Sequence, residues 1–327
     1  MTGNIATLER RPLPSFDLPP APRHRTRGFT LIEMAIVVVI IGLAATMLIG
    51  LTSGMLDANR RKAVRVQLDT VDTALANFVA IHKRLPCPAD GRLAVSAVNA
   101  GTELVTAGAC SLANQTHGVL PWVTLGLSEN DVTDPWNGRM TYRVDPALAS
   151  TAGLMNMSNC DPAATGVTAP GGACSVPAAS CTGSASCTSP TNFLAGKGLD
   201  VWNGRNAAAG FAQRQNNRPN GSGAAYVVIS HGTSRTGSYG NNGTLVSTAV
   251  SSINPDDELP NMADQPLVLN ATQLNVYRDA PLAELKQVRP TTPPGQAPYY
   301  LAYFDDYLSH PTIMTVLNRA NLGPRAH

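Results

Sequence analysis

Charge is scarce in this chain. Asp, Glu, Lys and Arg make up 14% of its 327 residues, and the formal net charge is only +2. With no basic stripe and no interleaved aromatics, nothing points to nucleic acid as a partner. Aromatics are also few, at 5%, so a core must be assembled largely from Ala, Val, Leu and Ile. No two cysteines stand in a C-x-x-C pair and no histidine cluster accompanies them, which argues against a zinc site. Neither a G-x-S-x-G nor a P-loop pattern occurs. Ser230 and His231 are adjacent, at the end of the β-branched run Tyr226–Ser230. Neighbours on a strand point to opposite faces, so these two cannot readily act together. A structural turn is the reading there, and the chain is expected not to be an enzyme.

Turn-forming residues, by contrast, are plentiful, with 28 Gly and 25 Pro. The six cysteines, Cys87, Cys110, Cys160, Cys174, Cys181 and Cys187, all follow a long apolar segment. An even number beyond such a segment reads as disulfides in an oxidising compartment. From Ser150 to Gly223 the composition shifts to Ala, Gly, Ser, Thr, Pro and Asn. This is expected to be a loop-rich insertion stapled by the last four cysteines, whose pairing stays open among three connectivities.

The apolar segment is the strongest signal. Met34 to Leu51 is a run of 18 residues without a charge, and Phe29 to Ile32 extend it, interrupted only by Glu33. Phe29 to Leu51 as a helix spans roughly 34 Å, enough to cross a bilayer. Arg23, Arg25 and Arg27 precede it, followed by Gly28-Phe29-Thr30-Leu31-Ile32-Glu33. This stretch resembles the processing site of type IV prepilins and type II secretion pseudopilins. The resemblance implies cleavage by prepilin peptidase between Gly28 and Phe29, and N-methylation of Phe29. It also gives Glu33 a role, pairing with the α-amine of a neighbouring subunit, whereas a plain signal anchor would leave the glutamate snorkelling to the headgroups. The implied function is that of a structural, minor subunit of a pilus or secretion pseudopilus, with other pilins or pseudopilins, met through the N-terminal helix, and an inner-membrane assembly platform as partners. The alternative is a membrane-anchored periplasmic binding protein, adhesin or enzyme that uses a pilin-type anchor. The implied location is the bacterial inner membrane, single-pass, with the C-terminal domain periplasmic until assembly carries it into a filament or to the cell surface.

Beyond the membrane segment, Val64, Leu68, Val71, Leu75 and Phe78 recur at helical steps. They predict an amphipathic continuation ending near Lys83 or Arg84, before Pro86 and Pro88. The blocks Leu85–Gly91, Gly118–Trp122 and Asp134–Val144 are similar in order to those of large pilin-like proteins. That resemblance implies a Cys87–Cys110 disulfide. Met140, Tyr142 and Val144 alternate as in a strand, after an Asn137-Gly138 turn. Asp134–Arg139 and Asp200–Arg205 match at five of six positions and read as two similar turns. Asp256, Asp257, Glu258 and Asp264 form an oxygen-rich stretch that could hold calcium, against the plainer reading of a solvated acidic loop; no other cofactor is expected. Phe304–Leu308 resembles the family's last strand, and a short helix is expected from Pro311 to about Asn321, capped by Ser309 or His310. The expected fold is α+β and pilin-like, a long N-terminal helix packed on an antiparallel sheet with disulfide-bonded loops. Its parts are a leader (1–28), the transmembrane half of the helix (29–52), the amphipathic half (53–84) and a globular domain (85–327).

Overall fold

The computed structural model describes residues 30–151, 155–158, 194, 196–202, 214–246, 258–267, 277–279 and 304–324, without the side chains of 44–54, 112, 114 and 259. Gly28, Phe29, Cys160, Cys174, Cys181, Cys187, Asp256 and Asp257 lie outside the described residues. The chain forms two compact units, Met1–Leu56 and Asp57–His327.

Helix α1 (Leu31–His82) runs through 52 residues without a proline. It stops where the sequence says it should: Lys83 takes φ 59°, the left-handed turn that ends a helix, and Pro86 and Pro88 forbid its continuation.

Within the second unit, β1 (Ala89–Asp90), β2 (Gly118–Val119), β3 (Thr141–Val144), β6 (Tyr226–Ser230) and β8 (Tyr307–Ser309) form one antiparallel sheet in that spatial order. A second sheet, absent from the sequence reading, joins β5 (Arg214–Asn216), β4 (Val201–Trp202) and β7 (Tyr277–Arg278), with β4 and β7 parallel. Strand β6 explains why both are needed. Its side chains alternate between two cores. Tyr226 and Val228 join Val64, Leu68, Val71, Leu75 and Val79 of α1 in the larger one. Val227 and Ile229 join Leu199, Val201, Leu267 and Tyr277 in the smaller. A continuous β-branched run is what a strand buried on both faces requires.

Polar ties fix helix to sheet. Tyr226 Oη and Ser309 Oγ each donate to the Asp72 carboxylate of α1 at 2.8 Å. Burial pushes the Asp72 carboxyl up, against the pull of those two hydroxyls and of Arg319. The loop after α1 is closed by the disulfide Cys87–Cys110, a separation of 23 residues. Beside it Arg84 pairs with Glu103 at 2.7 Å, and the Cys87 amide donates to Glu103 Oε2. Replacing both cysteines by serine is expected to lower stability by about 3 kcal/mol, from the loop entropy returned to the unfolded chain. Urea denaturation of wild type and variant measures it; coincident curves would show that the crosslink does not stabilise the fold.

One local expectation needs correction. The cap of the last described helix, α2 (Ile313–Arg319), is neither Ser309 nor His310 but Thr312, whose side chain accepts from the Thr315 amide. Ser309 is instead spent on Asp72 and His310 on Asn216 and Asp279. The two similar hexapeptides differ in structure at their first residues, while Asn203, Gly204 and Arg205 of the second lie outside the described residues. Asp134 Oδ1 accepts from the Trp136 and Gly138 amides and makes a turn, with Asn137 at φ 64°. In the other copy Val201 and Trp202 form strand β4, and Asp200 accepts from the Arg218 amide.

Candidate functional site

The first unit holds the processing region. Thr30 precedes α1, and its amide and hydroxyl both donate to Glu33 Oε2 at 3.2 Å. In return the Glu33 amide donates to Thr30 Oγ1 at 3.3 Å. This is a capping box, Thr-x-x-Glu, in which residue and cap satisfy each other's orphan amides. The Thr30-x-x-Glu33 spacing that makes it is present in the sequence itself. Glu33 therefore has a folding role inside its own chain, whatever it does between chains.

Following it, Ile36, Val37, Val38, Val39, Ile40 and Ile41 are all well exposed. Six successive helical residues cover every face of the helix. A helix that is apolar all round must be surrounded by lipid or by other apolar helices. Among the described residues no helix is long and apolar enough to cross a membrane; described side chains in this stretch end at Leu43.

The second unit contains two arrangements that could be taken for chemistry. Ser230 Oγ donates to Asp134 Oδ2 at 2.7 Å, whereas His231 Nε2 meets Thr141 Oγ1 at 2.7 Å. The neighbours engage different partners, as alternation requires. Thr141, His231 and Asp306 form a row, with His231 Nδ1 3.7 Å from Asp306 Oδ1. All three are sealed from solvent. Burial and the nearby Arg143 charge push the His231 pKa down to about 3, so it is a weak base with no route to a substrate.

The other arrangement is a buried carboxylate cluster. Glu258, Asp305 and Asp306 bring oxygens within 4.8 Å of one another. Of the described acidic residues expected to hold calcium, Glu258 is in it and Asp264 is not. Asp264 is half-buried, and Asp305 and Asp306 come from the segment before β8. Four of the six oxygens receive protein donors. Asp305 Oδ1 and Oδ2 accept from the Ser234 hydroxyl and amide, Asp306 Oδ2 from Asn261 Nδ2, and Glu258 Oε1 from the Asp305 amide. Hard-oxygen coordination of calcium asks for six to eight ligands with free lone pairs. This donor set fits a proton better. Desolvation, then the Asp306 and Asp305 charges, push the Glu258 carboxyl up to about 11. Glu258 is thus neutral at pH 7, the state in which like charges can share a dry site.

Arginines are the functional-looking residues that sequence reasoning missed, and here they serve the fold. Arg143, on β3, is fully buried and donates to the carbonyls of Gln115, Ala263 and Gln265. It staples the 258–267 segment to the sheet.

Comparison with known proteins singles out the first unit. Residues 23–49 match the family described as the prokaryotic N-terminal methylation motif. No curated protein and no solved structure matches the chain. The motif is of the prepilin type, consistent with the type IV pilin and pseudopilin family. The chain is therefore prepilin-like. Its N-terminal segment is the signal that prepilin peptidase and the pilin assembly machinery act on, and the anchor that holds the protein in the membrane.

Proposed function

We propose that this chain is a structural subunit, and a minor one, of a type IV pilus or a type II secretion pseudopilus, and that it is not an enzyme. One observation carries the reading: the methylation motif runs directly into a capped helix whose apolar side chains are exposed on every face. Such a surface is satisfied by lipid before assembly and by the N-terminal helices of other pilins or pseudopilins after it. The inner-membrane assembly platform would carry out the transfer, and the folded unit would lie in the periplasm. The bulk of chain beyond residue 85 supports a sparse position rather than a closely repeated one. The sealed Thr141–His231–Asp306 row supports the absence of catalysis.

The test has two stages. Mass spectrometry of protein recovered from membranes should find a mature chain beginning at N-methylated Phe29; an intact Met1 would overturn the reading. Deletion should then separate the two machines. Loss of surface filaments points to the pilus, and loss of protein secretion with filaments intact points to the pseudopilus. Neither phenotype, with the protein absent from sheared filaments, would remove the structural role.

A further inference from the structure

On the surface of the second unit, residues 129–137 and 235–242 enclose an open cleft of about 460 Å³, lined by Glu129, Asn130, Thr133, Asn137, Arg235 and Asn241 among others. That volume is within the range of small-molecule sites. Its electrostatics are specific. Glu129 brings no free negative charge, because Oε1 accepts from both Nε and Nη2 of the buried Arg139 at 2.8 and 2.6 Å. Arg235 is different. Its Nη2 donates to the Asn137 carbonyl at 2.9 Å, while its Nε has no hydrogen-bond partner. Among the described residues no carboxylate lies within ion-pairing distance of it. The Asp134 carboxylate that feels its charge is buried and committed to Ser230 and the Trp136 and Gly138 amides, so the cleft presents one cation without an ion-pair partner.

The amides around that cation are held in place. The Asn130 carbonyl accepts from Gln67 Nε2, the Asn137 carbonyl from Arg235, and the Asn241 carbonyl from the Val95 amide and Arg139 Nη2. Each backbone is pinned by a different part of the fold. Their side chains, by contrast, are exposed and have no intramolecular hydrogen bond among the described residues. Each free amide offers both a donor and an acceptor. Pairs of neighbouring hydroxyls, which both donate and accept, are the groups that use such an array fully. We propose that this cleft binds an acidic saccharide, with a uronate carboxylate on Arg235 and ring hydroxyls on the amides of Asn130, Asn137 and Asn241. The proposal does not depend on which filament, if any, the chain joins.

The test titrates full-length protein in detergent micelles with trigalacturonate, with neutral maltotriose and with acetate, read by calorimetry. Trigalacturonate should bind saturably at one site, and both controls far more weakly. Arg235→Gln should weaken it roughly tenfold to a hundredfold, as expected on losing a hydrogen bond to a charged group. Because Arg235 also ties two loops together, Asn130→Ala provides the independent check. Its side chain is exposed and unbonded, so affinity should drop a few-fold with the melting temperature unchanged. The proposal is overturned by no binding of trigalacturonate at millimolar concentration. Equal binding of maltotriose, or of acetate, overturns it as well, since hydroxyls alone or charge alone would then suffice. Unchanged affinity in both variants would place any binding elsewhere.

Discussion

Glu33→Ala is expected to leave the chain inserted and processed but missing from filaments. Removing the only acidic group of the segment makes insertion easier, if anything. Assembly is another matter. If the carboxylate meets the α-amine of a neighbouring subunit, its loss leaves that ammonium unpaired in a low-dielectric setting, where an uncompensated charge is strongly destabilising. The capping box complicates the simple variant, because alanine also removes the acceptor for the Thr30 amide and hydroxyl, at a cost of about 1 kcal/mol. Two further substitutions separate the roles. Glu33→Gln keeps a side-chain acceptor for Thr30, since glutamine also completes a capping box, but discards the charge. Thr30→Ala loosens the cap and leaves the carboxylate. Intersubunit pairing predicts that Glu33→Gln fails nearly as badly as Glu33→Ala, while Thr30→Ala assembles. A purely local role predicts the reverse order. The readout is the amount of processed protein in sheared filaments relative to the inner membrane. Glu33→Gln recovered from filaments at the wild-type level would rule out a pairing carboxylate.

What could be read from the sequence was what is local. The processing motif, the apolar run, the end of α1 at His82 and the doubly buried strand Tyr226–Ser230 are contiguous patterns, each fixed by its own residues and their neighbours. Features made by distant residues were not legible. The second sheet is built from strands of two and three residues, too short to show any period. The carboxylate cluster joins Glu258 to Asp305 across 47 positions, and nothing about either residue's surroundings announces the other. Nothing in the residues next to Arg139 and Arg143 announces that they are buried. They are buried because carbonyls and a carboxylate from other segments converge on them. Of the residues in the calcium expectation, Asp256 and Asp257 lie outside the described residues, while Glu258 is joined in space by Asp305 and Asp306, which closeness in sequence could not pair with it. The cap of the last helix was missed by two to three positions because Ser309 and His310 were already committed to long-range partners.

Glu258→Gln is expected to stabilise the protein, and increasingly so as the pH rises. The sign follows from the two states. In the unfolded chain the carboxyl titrates at its ordinary value of 4.5; in the fold it is pushed up to about 11 by burial and by the Asp306 and Asp305 charges. Below pH 4.5 both states hold the proton and the site contributes no pH dependence. Above it the folded state keeps a proton that the unfolded state has released. Stability therefore falls with rising pH by about 1.4 kcal/mol per unit until the folded value is passed. At pH 7 the penalty is on the order of 3 kcal/mol. Glutamine is neutral at every pH and its amide can donate to the Asp305 carboxylate as the protonated glutamate does, so the slope should vanish in the variant. Urea midpoints of both proteins at pH 5, 7 and 9 give the difference directly, with titrating groups remote from the cluster cancelling. The same experiment decides between a proton and a cation at this cluster. Three ionised carboxylates around calcium would be stabilised by added calcium and would make Glu258→Gln the weaker protein at pH 7. Protonated Glu258 predicts the opposite sign, with neither calcium nor its chelation moving the wild-type midpoint.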